Sequence, residues 1–153
     1  MIELEGKRVT VMGLGRFGGG VGVTRFLSAH GADVLLTDLL TADKLTDSLD
    51  QLRDLIDAGT VTLRLGEHNV SDFTNADLVI ANPAVPKPWD NRFLRAATAA
   101  GVPITTEIRL LCERLPNRAH VIGVTGTAGK STTSAMIAHI LKADGRTVHF
   151  GGN

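Results

Sequence analysis

The chain has 153 residues, and its 16 Lys and Arg residues balance its 16 Asp and Glu residues. Because nucleic-acid-binding domains are usually clearly basic, this balance argues against a nucleic-acid partner. No apolar stretch reaches the roughly 18–20 residues that span a bilayer, so we expect no membrane association. The one cysteine, Cys112, excludes an intrachain disulfide and favours a reducing cytoplasm.

Short apolar segments alternate with segments of helical periodicity along the first 117 residues. The predicted strands are residues 7–12, 33–38, 61–65, 76–81 and 102–105. The predicted helices are residues 20–30, 45–56 and 91–100, and a further helix whose apolar face carries Ile108, Leu111, Cys112 and Leu115. This alternation predicts an α/β fold, a Rossmann-like parallel sheet with helices on both faces.

A first glycine-rich loop follows the first predicted strand. Gly13, Gly15 and Gly18 form the motif G-x-G-x-x-G, and Arg16 within it is a candidate phosphate contact. Such glycines allow a tight turn and let the backbone approach a phosphate at the start of the next helix. Asp38 ends the second strand, where dinucleotide folds place a carboxylate on a ribose hydroxyl. The motif alone predicts a nucleotide-like ligand and suggests NAD, with tight helix–strand packing as the alternative.

A second glycine-rich loop, TGTAGKST at residues 125–132, lies between a predicted strand and a predicted helix. It resembles a P-loop, in which backbone N–H groups cradle phosphates, the lysine neutralises the β and γ oxygens and the serine ligates Mg²⁺. The spacing is a variant, because Val124 stands where the common motif has its first glycine. We predict nucleoside triphosphate binding here, by Gly126, Thr127, Ala128, Gly129, Lys130, Ser131 and Thr132.

The two loops divide the chain into two predicted domains. Residues 1–117 form the Rossmann-like domain, and residues 118–153 form the first β-α-β of a P-loop domain, with strands at 120–124 and 147–150 around a helix at 131–143. The helix is predicted to bury one face, made by Met136, Ile137, Ile140 and Leu141.

A dinucleotide-like unit followed directly by such a loop resembles the Mur ligases, the ATP-dependent amide ligases of peptidoglycan synthesis. The similarity is strongest to the members that add D-glutamate, and it covers essentially the whole chain. The segments that carry it are VMGLGRFG at 11–18, ADLVIANPAVP at 76–86, the stretch at 96–113, GVTGTAGKSTT at 123–133 and GGN at 151–153.

The resemblance implies substrates and roles that the motifs alone do not give. The first domain would hold the UDP part of UDP-N-acetylmuramoyl-L-alanine, and the second would bind ATP and Mg²⁺. The substrate carboxylate would attack the γ-phosphate to give an acyl phosphate, from which the amine of D-glutamate displaces phosphate. Lys130 would be the catalytic residue and Ser131 the Mg²⁺ ligand, in a full-length enzyme that is a monomer. The implied UDP-substrate residues are Gly13, Gly15, Arg16, Phe17, Gly18, Asp38, Asn82 and Asn153.

The chain departs from the family pattern at a few positions, and these leave other interpretations open. Phe17 and Ala128 replace polar residues, Leu39 and Leu40 follow Asp38, and the usual Ser-Pro-Gly segment reads Asn-Pro-Ala at residues 82–84. The alternatives are a sibling Mur or folylpolyglutamate-type ligase with another acceptor, an NAD(P)-binding oxidoreductase domain, and a nucleotide-sensing module without ligase activity. Because residues 118–153 predict too few elements for a complete α/β domain, we expect these 153 residues to be a fragment that is inactive as a ligase.

Overall fold

The computed structural model describes residues 3–15 and 19–151. The chain divides into two compact units, Met1–Leu115 and Pro116–Asn153. None of the helices in the described ranges combines the length and the apolar character that a bilayer crossing requires.

A parallel sheet is the centre of the first unit. Its strands in the described residues are β1 (Arg8–Met12), β2 (Asp33–Asp38), β3 (Val61–Leu65), β4 (Leu78–Ala81) and β5 (Ile104–Thr105). They lie in the order β3-β2-β1-β4-β5, and every neighbouring pair is parallel. The strand order reverses between β1 and β4, which makes the carboxyl ends of these two strands the switch point where ligands bind in open α/β sheets. The predicted Rossmann-like sheet is confirmed.

Helices cover both faces of this sheet. They are α1 (Gly19–Ala29), α2 (Thr46–Asp50), α3 (Arg53–Asp57), α4 (Val70–Thr74), α5 (Arg92–Ala99) and α6 (Glu107–Arg114). Because successive strand side chains point to opposite faces, the core falls into two clusters. One contains Val9, Val11, Leu27, Leu52 and Leu110. The other contains Met12, Phe73, Val79, Phe93 and Ala97.

The helix predicted over residues 45–56 is interrupted, and this corrects the sequence-based prediction. The segment folds as a 3₁₀ turn (Ala42–Lys44) followed by α2 and α3. Leu52, between the two helices, is fully buried and has φ −113° and ψ 3°, outside the helical region. The chain therefore leaves the helical conformation at Leu52, and α2 and α3 do not form one continuous helix. Helix α4 was not predicted at all.

The prediction of which face of α6 is buried was wrong. Ile108 and Leu111 are 53% and 56% exposed and Cys112 is only half-buried, whereas Leu110 is buried against the α1 side of the sheet. The side chain of Thr106 accepts a hydrogen bond from the N–H of Arg109 and so fixes the start of the helix. With this start, Leu110 faces the core.

The second unit contains helix α7 (Lys130–Ala143), which confirms the predicted helix with a start one residue earlier. The strands predicted at residues 120–124 and 147–150 are not formed in the described part of this unit. A strand needs a neighbouring strand for its backbone hydrogen bonds, and none of the residues that the structure describes pairs with these segments. Met136 and Ile140 of the predicted buried face are exposed, so that prediction is corrected as well.

Candidate nucleotide-binding site

The first glycine loop leaves β1 at the carboxyl edge of the sheet, next to β2 and β4. Gly13 and Gly15 have φ of 95° and 68°, a backbone conformation that side chains other than glycine rarely adopt. The N–H of Gly13 donates to the carbonyl of Thr37 on β2 at 2.7 Å. A Cβ on Gly13 would also lie 3.0 Å from the Cβ of Asn82. Glycine at 13 is thus required both by backbone shape and by the close approach of Asn82.

Asp38 lies beneath this loop and is 7% exposed. Its Oδ2 accepts hydrogen bonds from the N–H groups of Leu14 at 2.9 Å and Gly15 at 3.2 Å. Its Oδ1 accepts from the N–H of Leu40 at 2.8 Å. The carboxylate therefore fixes the loop to the end of β2, a role that the motif did not predict. A carboxylate offers about four acceptor positions, so the predicted ribose contact stays a prediction.

Two further side chains hold the loop carbonyls. The Nδ2 of Asn82 donates to the carbonyl of Gly13 at 3.3 Å, while its Oδ1 accepts from the N–H of Ala84 at 2.8 Å. The Oγ of Ser48, which is buried, donates to the carbonyl of Gly15 at 3.0 Å. The sequence analysis missed Ser48. The one feature of the sequence that could have indicated its role is a small polar residue within a segment of periodic apolar residues.

Helix α1 begins directly against the loop because Gly20 has no side chain. A Cβ at this position would lie 2.6 Å from the Cα of Leu14 and closer still to its carbonyl oxygen. The packing glycine that the structure identifies is therefore Gly20. Gly18, Arg16 and Phe17 lie outside the described residues, as does Asn153.

A carboxylate also faces the start of α1. A Cβ built on Gly19 would lie 2.7 Å from Oε2 and 3.0 Å from Oε1 of Glu107, the first residue of α6. Negative charge is favoured at a helix N-terminus, so Glu107 stabilises this end of α1. An anionic ligand at the start of α1 would therefore lie close to the negative charge of Glu107.

His68, beyond the end of β3, lies among aromatic rings. Its ring is edge-on to Phe73 and Phe93, with centroid distances of 5.7 Å and 5.2 Å. Burial lowers the pKa of His68, and the carboxylates of Asp38 and Asp72 oppose this effect. The lowered pKa favours the neutral imidazole, which carries no positive charge for a phosphate.

The second glycine loop is found in the second unit, where all the predicted residues 126–132 are exposed at the start of α7. Gly129 precedes the helix with φ 76°, again a conformation that favours glycine. The Nζ of Lys130 donates to the carbonyl of Gly126 at 2.7 Å, so the side chain folds back over the loop. The first N–H groups of a helix have no intrahelical acceptor, and here they are open to a ligand.

Comparison with known proteins identifies the family. Residues 7–106 match the family described as Mur ligase MurD-like, N-terminal domain. The chain belongs to the MurD-like Mur ligases. The resemblance seen in the sequence is thereby confirmed.

This chain spans less than a third of the length of the following relatives, which are ligases. The UDP-N-acetylmuramoylalanine--D-glutamate ligase of Roseiflexus sp. (strain RS-1) is 43% identical over 152 residues, 99% of this chain and 31% of that protein. The ligase of the same name from Treponema pallidum (strain Nichols) is 43% identical over 150 residues, 98% of this chain and 27% of that protein. Among solved structures, a pseudomurein peptide ligase type C from Methanothermus fervidus is similar with a TM-score of 0.52 and 26% identity, over 91% of this chain and 26% of that one.

Proposed function

We propose that this chain is the substrate- and ATP-binding part of an ATP-dependent ligase that joins D-glutamate to UDP-N-acetylmuramoyl-L-alanine. The observation that carries the proposal is the glycine loop held by Asp38, Asn82 and Ser48 in a MurD-like chain. We place the full-length enzyme in the cytoplasm as a monomer that acts on small molecules. Within it, residues 1–117 form the UDP-substrate domain and residues 118–153 the beginning of the ATP-binding domain.

The first domain is proposed to hold the UDP part of the substrate at the carboxyl ends of β1 and β4. Gly13 and Gly15 keep the loop backbone free of side chains, so a diphosphate can approach it closely. Asp38 already accepts three backbone hydrogen bonds, which reduces its capacity to bind the ribose of NAD. Leu39, which is exposed beside it, offers an apolar contact to a base.

Titration of the ¹⁵N-labelled chain tests this assignment. We expect UDP-N-acetylmuramoyl-L-alanine to shift the amide signals of Gly13, Gly15 and Leu40 saturably, because these residues form the loop and the strand end. NAD and NADP are expected to leave the same signals unchanged. Saturable shifts with NAD, in the absence of any response to the UDP compound, would instead support the oxidoreductase alternative.

The second glycine loop is proposed to hold ATP. The backbone N–H groups of Gly126, Thr127, Ala128 and Gly129 would surround the phosphates. Thr132 lies in the first turn of α7, directly after this loop. Lys130 would exchange its bond to the Gly126 carbonyl for the β and γ oxygens. The exposed hydroxyl of Ser131 fits a Mg²⁺ ligand, and Mg²⁺ supplies charge neutralisation to the phosphates when bound.

Replacing Lys130 by alanine is expected to weaken MgATP binding by the chain at least tenfold, because one full charge on the phosphates is lost. The measurement is a titration of the amide signals of residues 126–132 with MgATP. Lys142→Ala is the matched control, since this exposed lysine lies in the last turn of the same helix. Equal affinity of the Lys130 variant and the unmodified chain would contradict the role given to Lys130.

A further inference from the structure

A second concave surface of the first unit is lined by none of the described glycine-loop residues. It is an open groove of about 600 Å³ between α5, β5 and the start of α6. Leu94 of α5 and Ile104 of β5 form apolar parts of its lining. This volume is within the range of about 300–1,000 Å³ that is typical of small-molecule sites.

The charge of the groove is positive. Arg95 and Arg109 both line it, and none of its described lining residues is acidic. Each arginine has an exposed ion-pair partner: the Nη1 of Arg95 lies 3.7 Å from Asp90, and the Nε of Arg109 lies 2.9 Å from Glu113. Exposed pairs of this kind are weak, and a guanidinium has five N–H donors. Both side chains therefore retain donors for an anion such as a phosphate or carboxylate.

The mouth of the groove carries an aromatic ring. Trp89 lines it and is 78% exposed, on a 3₁₀ turn (Pro88–Asp90). Lys87, immediately before this turn, has φ 42°, a left-handed conformation that is uncommon for a residue other than glycine. Unusual backbone conformations of this kind cluster at ligand sites, and exposed indole rings stack on planar ligands.

We propose that this groove binds a small aromatic anion, a planar ring that carries one phosphate or carboxylate. The ring stacks on Trp89 above Leu94 and Ile104, and the anionic group lies between Arg95 and Arg109. None of the described residues proposed above to hold the UDP substrate lines the groove, although Ala81 at the end of β4 lies in its lining.

Trp89 is the only tryptophan in a chain without tyrosine, so its indole N–H signal and its fluorescence both report on this groove alone. The probes are phenyl phosphate and benzoate, which distinguish a phosphate from a carboxylate ligand. Inorganic phosphate and phenol are the matched controls for the charge and the ring. We expect a saturable shift of the Trp89 signal with one or both probes, and at least tenfold weaker binding of inorganic phosphate and of phenol.

Arginine variants locate the anion. Arg95→Gln and Arg109→Gln are each expected to weaken probe binding at least fivefold, and both side chains are exposed, so the fold should be retained. Arg53→Gln is the control, because this exposed arginine pairs with Asp50 away from the groove. The proposal is overturned if neither probe shifts the Trp89 signal saturably, if inorganic phosphate binds as tightly as phenyl phosphate, or if the control variant loses as much affinity as the other two. The outcome does not depend on the response of the glycine loop to UDP compounds.

Discussion

The Gly20→Ala variant is expected to lose about 3–4 kcal/mol of unfolding free energy. The added methyl group would lie 2.6 Å from the Cα of Leu14. The methyl carbon is bonded directly to the backbone of α1 and the Cα is part of the loop backbone, so no side-chain rotation can relieve the overlap. Relief of the overlap requires α1 to shift away from the loop, which separates Val21 and Leu27 from the core that they share. Urea denaturation followed by far-UV circular dichroism measures the loss.

Gly22→Ala is the matched control within the same helix. Gly22 is exposed, and a Cβ there would meet nothing within 4 Å. Because alanine is the better helix former, this variant should gain about 0.5–1 kcal/mol. Similar midpoints for the Gly20 and Gly22 variants would refute the close approach of α1 to the loop.

Replacing Asp38 by asparagine is expected to lower the free energy of unfolding by about 2–4 kcal/mol. The carboxylate accepts from the N–H groups of Leu14, Gly15 and Leu40, and an asparagine presents one oxygen in place of two. Its NH₂ group would face at least one of these N–H donors, which is then left buried and unpaired. The loss is measured by the same urea denaturation, and amide exchange of Leu14 should accelerate.

Asp33→Asn provides the control for charge alone. Asp33 is the first residue of the same strand, and it is exposed. Its replacement should change the unfolding free energy by no more than about 0.5 kcal/mol. If both variants lose the same stability, the effect of Asp38 is one of net charge and not of its hydrogen bonds.

Within the first unit, strands were the most predictable part of the fold. The bounds of β2 and β3 agree with the sequence prediction at both ends, because their apolar residues form short runs that are bounded by polar or glycine residues. β4 and β5 are each two residues shorter at their start than predicted. Where a strand begins depends on its partner, and the partner is not visible in a local pattern.

Helix faces were less predictable, since tertiary contacts decide them. Ile108 and Leu111 gave a convincing helical periodicity, yet Leu110 is the side chain that reaches the α1 side of the core. Short helices such as α4 (Val70–Thr74) carry too few residues for any periodicity. The apolar segment at residues 120–124 indicated a strand, but it has no paired neighbour in the described residues.

The structure brings Gly13, Gly15 and Asp38 together, as expected from a motif with fixed spacing, while their ligand stays a prediction. The motif did not reveal that the Asp38 carboxylate holds the glycine loop. Asp38 ends β2, whereas the N–H groups of Leu14 and Gly15 lie in the loop after β1. Ser48 and Gly20 were missed for the same reason. Their roles follow from contacts with Gly15 and Leu14 that no local pattern encodes.

The hydrogen bonds that hold the first glycine loop join residues far apart along the chain. Leu14 and Asp38 are separated by 24 residues, Gly15 and Ser48 by 33, and Gly13 and Asn82 by 69. Contacts of long sequence separation form late, because each requires the closure of a large loop. The loop is thus held only when the ends of β1, β2 and β4 and the Ser48 side chain of α2 lie together. During synthesis on the ribosome, a nascent chain that ends before Asn82 lacks one of the three hydrogen-bonded attachments of this loop.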